Sequence, residues 1–335
     1  MGWTKRIKLI MIPAALLIIL FAVFSMFKGE SNTSSAPSVS GNEKNLVDGK
    51  NVDDSTVPGT SDPRGPNLTD FPESTYISPM ESGFLTVKLE TSDIFHGNLI
   101  LVNYNHQYEI PDELGLIDIA ELKTPSYMVA ENVLMLSDLA IGPLNDMMDA
   151  FYSESGRDTV TVISAFRDYK RQKEIHDEYV VRVGQSEASK WAALPGYSEH
   201  HIGLAVDFGD FSSGTLRTFN NTGINEWFFL NAYQYGFIPR YPSEKTEITK
   251  IAYEPWHFSY VGQPHAAFIR DSGLCFEEYI EFLMGFTRNA PYTATFDNEK
   301  YEVYYTSDTV IPIPFGSEFE ISGNNIDGFI VTLKY

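Results

Sequence analysis

Nineteen consecutive uncharged and mostly apolar residues, Leu9 to Phe27, stand directly behind Lys5, Arg6 and Lys8. As a helix such a run spans roughly 28 Å, close to the ~30 Å of a bilayer core. A cleaved signal peptide has a shorter apolar region ending on small residues, whereas this run meets Phe27 and Lys28 without an A-x-A pattern. Residues 9–27 are therefore expected to be an uncleaved transmembrane anchor and residues 1–8 a cytoplasmic tail. The basic cluster before the run directs the N-terminus inward, so the rest of the chain should face outward from the cell membrane as a single-pass protein.

From Lys28 to Ser78 the composition shifts to Ser, Asn, Gly, Asp and Pro, with too few apolar residues for a core. Residues 28–78 read as a disordered linker. A flexible chain of about 48 residues reaches roughly 40 Å, enough to hold a domain off the membrane. The formal charge of -21 argues against a nucleic-acid partner, which would need a basic face. With Cys275 the single cysteine, an intrachain disulfide and a cysteine-based zinc knuckle are both excluded, and Cys275 itself reads as a core residue. Any metal must be held by His and carboxylates.

The pattern predicts strands at "LTVKLE" and "NLILVNY", then a helix through Leu139, Leu144, Met147, Met148 and Phe151 closed by Gly156. The β-branched run "DTVTVISAF" should be a buried strand, leading through Arg167 into a helix capped by Asp168 and ended by Gly184. "NEWFFLNAYQYGF" reads as a further helix, and "EITKIAYEPWHFSYVG" as a strand. Mixed strands and helices without a βαβ repeat indicate an α+β fold. We place one domain at 79–288, with a central antiparallel sheet and flanking helices, and a small all-β module at 289–335.

Two polar clusters interrupt this pattern. In "HHIGLAVDFG" the bulky Ile202, Leu204 and Val206 alternate with Gly203, Ala205 and Asp207, as in a half-buried strand with Asp207 on the lighter face. His200 has the wrong parity for that face and should lie in the turn before the strand, where Gly203 lets the chain bend. His201 has the right parity, so spacing alone leaves the choice between the histidines open. In "YEPWHFSY", Pro255 disfavours helix at Glu254, so Glu254 and His257 are not a helical pair. Polar groups on such a segment are costly to bury unless they share a partner. Two imidazoles and a carboxylate around one zinc ion, with the fourth place left to water and a nearby Glu to take its proton, would supply that partner. His96, His106, His176 and His265 fall in no comparable cluster and read as surface or core residues.

"SEHHIGLAVD" fits S-x-H-x-x-G-x-A-x-D, and "EPWH" fits E-x-W-H. Together with "SAFRDYKRQ" and "GFIPRYP", in this order, they resemble the VanY-type D-alanyl-D-alanine carboxypeptidases over roughly residues 95 to 265. The resemblance implies that His200, Asp207 and His257 bind one zinc ion and that Glu254 is the general base. It implies substrate contacts from Arg167, Gln172, Ser198 and His201, with Arg167 also stabilising charge in the reaction. His201 stands where the family commonly has Gln; Phe166, Asp168 and Ser259 are further departures, and none removes a ligand or the base. Arg240 reads as pairing with an acid inside the fold. The implied activity is removal of the terminal D-Ala from peptidoglycan stem peptides, with no obligate protein partner. L,D-carboxypeptidase, D,D-dipeptidase and endopeptidase cuts on the same wall peptides are the alternatives, as is a wall-binding module without turnover.

Overall fold

The computed structural model describes residues 76–79, 83–111, 113–212 and 214–335. The expected anchor, and residues 28–75 of the expected linker, lie outside the described residues. Among the described residues no helix is long and apolar enough to cross a membrane.

The strands up to the site are β1 (Tyr76–Pro79), β2 (Phe84–Lys88), β3 (Leu116–Asp118), β4 (Met128–Val129), β5 (Met135–Ser137), β6 (Val160–Ser164) and β7 (Ala205–Asp210). After it come β8 (Arg217–Thr218), β9 (Phe237–Pro239), β10 (His257–Tyr260), β11 (Tyr292–Phe296), β12 (Glu299–Thr306), β13 (Val310–Pro314), β14 (Glu318–Gly323) and β15 (Phe329–Lys334). The α+β expectation holds. The central sheet runs β4-β6-β7-β10-β9 with β8 beside β7. It is antiparallel as expected except at β4, which pairs parallel with β6.

The helix Asp138–Ser155 starts where the Ser137 hydroxyl accepts a hydrogen bond from the Leu139 amide and ends at Gly156, held at φ 66°. Its buried face, Leu144, Met147, Met148 and Phe151, packs with Val162, Val206, Phe208 and Phe258 of the sheet in one core. Each such side chain contributes about 1.5–3 kcal/mol when fully buried. The helix Tyr169–Val183 opens with Asp168 accepting from the Arg171 amide and closes at Gly184. Its buried residues are polar, Gln172 and His176, because it covers the site rather than the core.

Several sequence expectations give way here. The strand through Asp207 begins at Ala205 and is buried on both faces, because β6 and β10 flank it and packed layers cover it. Residues 99–102 are buried but form no strand; the Leu99 amide bonds Ser322 Oγ and the Leu101 amide bonds the Asn324 carbonyl instead. In the expected strand at 247–262 only His257–Tyr260 is a strand, and Thr246–Thr249 is a helical turn.

β11, β12, β15 and β14 form a four-stranded sheet. Its one face packs on the helices His265–Ser272 and Phe276–Met284 through Val303 and Ile330, and the buried Cys275 caps the second helix. The other face packs through Tyr304, Phe329 and Val331 on the sheet β1-β2-β13. β2 pairs with β13 over Phe84–Lys88, and β1 pairs with β2, so residues 76–78 belong to a sheet rather than to the linker.

Candidate metal centre

Each element of the site follows from local sequence. The 3-10 turn Glu199–Ile202 ends at Gly203, whose φ is 72° and where a Cβ would come within 2.6 Å of Leu116. Only glycine fits that conformation and that space. The turn sets His200 just before β7, which carries Asp207. β10 runs antiparallel to β7 with His257 directly opposite Asp207. In a half turn across Pro255 and Trp256, the His257 amide bonds the Glu254 carbonyl. That turn brings Glu254 Oε2 to 3.9 Å from His257 Nδ1.

One donor atom from each of His200, Asp207 and His257 lies within 4.8 Å of the others, and all three residues are buried. The His200 Nδ1 donates to the Ala165 carbonyl at 2.6 Å. That bond fixes the proton on Nδ1, so Nε2 points its lone pair toward Asp207 Oδ2, 3.2 Å away, while making no hydrogen bond. Burial, then the Arg167 charge, hold His200 down to about 4, so it stays neutral at pH 7. Two acceptors facing each other in a buried site repel unless a cation lies between them. The site therefore fits a metal ion, and two imidazoles with one carboxylate make a zinc-type donor set.

His257 meets Asp207 Oδ1 through Nδ1 at 2.9 Å, and its Nε2 lies 3.6 Å from Glu199 Oε2. Burial opposes its charged form, but the hydrogen bonds with Asp207 and Glu199 outweigh it and raise His257 to about 9. A bound metal ion would displace the Nδ1 proton and leave the one on Nε2, toward Glu199, so that Nδ1 could serve as a ligand beside Asp207. Burial likewise opposes ionisation of Asp207, yet the hydrogen bond and charge of His257 hold its carboxyl well below the usual range. Glu254 has no such support: burial, with Asp207 and Glu199 adding to it against the opposing His257 and Arg167, pushes it up to about 8.

Arg167 leaves β6 at the junction with the covering helix. Its Nη1 donates to Gln172 Oε1 at 2.8 Å, its Nη2 approaches Asp207 Oδ2 at 3.4 Å, and its Nε is buried without a partner. Gln172 spends its other end on the Ala193 carbonyl, so it orients Arg167 rather than facing substrate. His201 is a second correction. It is fully buried, with Nδ1 donating to the Arg167 carbonyl and Nε2 accepting from the Gly196 amide, which leaves no polar atom for a ligand. Ser198 is buried beside the turn and makes no side-chain capping bond.

The support beneath His257 was not legible as such. Glu199 is buried, accepts from Ser259 Oγ and pairs with Arg240 Nε at 2.5 Å, and Arg240 forks onto Glu277. Burial opposes the Glu199 charge, but Arg240, His257 and Ser259 hold it down to about 2. The internal partner expected for Arg240 is thus Glu199 together with Glu277. Glu199 stands between Ser198 and His200, a place that no spacing rule marks.

A family model described as VanY, D-alanyl-D-alanine carboxypeptidase, matches residues 135–263. A D-alanyl-D-alanine carboxypeptidase of Enterococcus faecium is 33% identical over 249 residues, covering 72% of this chain and 76% of that protein. The bifunctional D-Ala-D-Ala dipeptidase and D-Ala-D-Ala carboxypeptidase VanXYC of Enterococcus gallinarum is 37% identical over 128 residues, 37% of this chain and 67% of its own. Among solved structures, the vancomycin resistance D,D-dipeptidase VanXYg in complex with a D-Ala-D-Ala phosphinate analog superposes with a TM-score of 0.64 at 31% identity. That match covers 75% of this chain and 98% of the other.

Proposed function

The chain belongs to the VanY family of D-alanyl-D-alanine carboxypeptidases, and from that premise we propose that it hydrolyses the terminal D-Ala of peptidoglycan stem peptides, with Glu254 as general base. The observation that carries this reading is the buried Glu254 carboxyl beside three converging metal-ligand atoms. A pure binding site has no need of a base there. His200 Nε2, Asp207 and His257 Nδ1 would hold the ion. Zinc in that place supplies Lewis acidity to the scissile carbonyl and to the attacking water.

The protein's own groups do the rest. As the water oxygen adds to the carbonyl carbon, Glu254 takes the water proton. It then passes that proton to the nitrogen as the C–N bond breaks, releasing free D-Ala. Burial raises the Glu254 carboxyl, which makes its ionised form a stronger proton acceptor, and a cation held beside it would favour that ionised form. Arg167, with Gln172 fixing one arm of its guanidinium, offers donors to charge developing on the carbonyl oxygen or to the substrate carboxylate. The Ser198 hydroxyl, unused by the turn it precedes, is the remaining substrate contact.

We assign residues 9–27 as the membrane anchor on the apolar run itself, with the enzyme facing outward, where a wall substrate lies. Protease added to intact cells should then remove the domain.

The test of the reaction is mass spectrometry of a stem pentapeptide ending in D-Ala-D-Ala, incubated with the metal-loaded ectodomain, with and without chelator. Loss of one alanine, abolished by chelator and by Glu254→Gln, supports the proposal. Loss of a dipeptide would make the chain a dipeptidase instead, and a fully active Glu254→Gln would remove Glu254 as the base.

A further inference from the structure

The Arg240 side chain is fully buried, and its charge is met by two carboxylates that come from different parts of the molecule. Its Nε donates to Glu199 Oε1 at 2.5 Å, while Nη1 and Nη2 fork onto Glu277 Oε2 and Oε1 at 2.8 and 2.6 Å. With Glu199 alone, the fork of the guanidinium would be left unsatisfied where water does not reach. Burial opposes the charge of Glu277, but Arg240 outweighs it and holds that carboxyl below its usual range. The rings of Tyr241 and Phe276 lie 4.8 and 5.3 Å from the guanidinium carbon and leave its plane little freedom.

What holds the two carboxylates differs. Glu199 belongs to the turn that presents His200, and its Oε2 takes the Ser259 hydroxyl and faces His257 Nε2. Glu277 lies one step further out, with Arg240 between it and Glu199. It stands in the first turn of the helix Phe276–Met284, where the helix dipole also favours a carboxylate. That helix is anchored away from the ligands: Phe276, Tyr279, Ile280 and Leu283 share a core with Val303 and Ile330 of the C-terminal sheet. His265 bonds both the Tyr279 hydroxyl and Thr332 of β15, two residues along the helix from Glu277. The backbone of Glu277 is therefore fixed by packing in which the ligands take no part. Glu277 also falls beyond residues 135–263, the stretch that the family model matches.

We propose that Glu277 is a positioning residue of the metal centre, acting on His257 through Arg240 and Glu199. This rests on the reading of His257 as a ligand and extends it to a helix outside the sequence motifs. While Glu277 takes the fork of Arg240, Glu199 keeps one oxygen free to accept from His257 Nε2, which orients the ring and raises its basicity as a ligand. Without Glu277 the whole charge of Arg240 falls on Glu199, and Glu199 becomes a weaker acceptor for His257.

Zinc affinity, measured by chelator competition on the full-length protein, tests this beside the unfolding midpoint of the metal-free form. The variants are Glu277→Gln, Glu199→Gln, their double, and Lys245→Gln, which cuts the Lys245–Glu278 pair on the same helix. A substitution that only weakens the fold lowers the midpoint and leaves the zinc Kd unchanged. Glu277→Gln should weaken zinc by about three- to tenfold, less than Glu199→Gln because it acts one step further away. The double variant should bind within about twofold of Glu199→Gln, since residues acting in one chain are not additive. Lys245→Gln should leave the affinity as it is. Should Glu277→Gln fail to fold, Glu277→Asp, which keeps the charge but misplaces the fork, should weaken zinc by about two- to fivefold. Unchanged affinity in the folded Glu277 variant would overturn the positioning role, as would fully additive losses in the double variant or an equal loss in Lys245→Gln. A wild type that takes up no zinc would overturn the ligand reading itself, and hydrolysis enters neither readout.

Discussion

His200 and His265 are both buried imidazoles that burial keeps neutral, lowered to about 4 and about 3 respectively, yet their surroundings differ completely. His265 is satisfied at both nitrogens, by the Tyr279 hydroxyl at 2.8 Å and Thr332 Oγ1 at 2.9 Å, and so pins the helices His265–Ser272 and Phe276–Met284 to β15. His200 aims an unpartnered nitrogen at a carboxylate, with a second histidine, Arg167 and Glu254 packed around it. A protein stabilised only by its own contacts would resolve such a cluster in the way the His265 site is resolved. Leaving it unresolved costs stability that a bound cation returns, so the difference marks one site as built for a ligand and the other as built for the fold.

Substitutions in the two histidine sites should differ accordingly. The largest effect belongs to Glu254: the Gln variant should keep its zinc while turnover falls by about 10²–10⁴-fold, read from pentapeptide hydrolysis beside metal content. Arg167→Ala should lower kcat by about 10²–10³-fold with the ion still bound, and Gln172→Ala should give a smaller loss of the same kind, since Gln172 only steers the guanidinium. Glu199→Gln removes the charge behind His257, and zinc affinity measured by chelator competition should weaken by about 10–100-fold. Unchanged affinity would mean that the Glu199–Arg240–Glu277 network serves the fold alone.

The smallest effect lies at the resolved site. His265 has its pKa lowered on folding, from 6.5 to about 3, so the unfolded chain binds the extra proton. Its contribution is complete above the unfolded value and is lost as pH falls from 6.5 toward 3, by about 1.4 kcal/mol per pH unit. Urea unfolding of the metal-loaded protein at pH 7 and pH 5 should show a steeper loss in the wild type than in His265→Gln. Equal losses would mean that His265 does not titrate across this range.

The metal centre was more legible in the sequence than the fold around it. The ligand set came from the resemblance to the VanY type, whose motifs could be read because they lie in short segments, among them the turn before β7 and the turn before β10. The choice of His200 over His201 was not a matter of spacing; it depends on the 3-10 turn, which gives His201 both of its partners from 196 and 167. Residues 99–102 have strand composition but no strand, because their amides bond to the end of β14, more than two hundred residues away. The pairing of β2 with β13 is equally non-local, and no periodicity reports it. Glu199 escaped for a related reason: its partners Arg240, Ser259 and Glu277 come from three separate later segments.

The most direct test of this contrast is metal content, measured by plasma mass spectrometry on the purified protein and on three variants, His200→Ala, His201→Ala and His265→Gln. About one zinc per chain is expected in the wild type, in His201→Ala and in His265→Gln, with a loss of most of it in His200→Ala alone. Zinc retained in full by His200→Ala, or lost from His201→Ala while that variant remains folded, would contradict it.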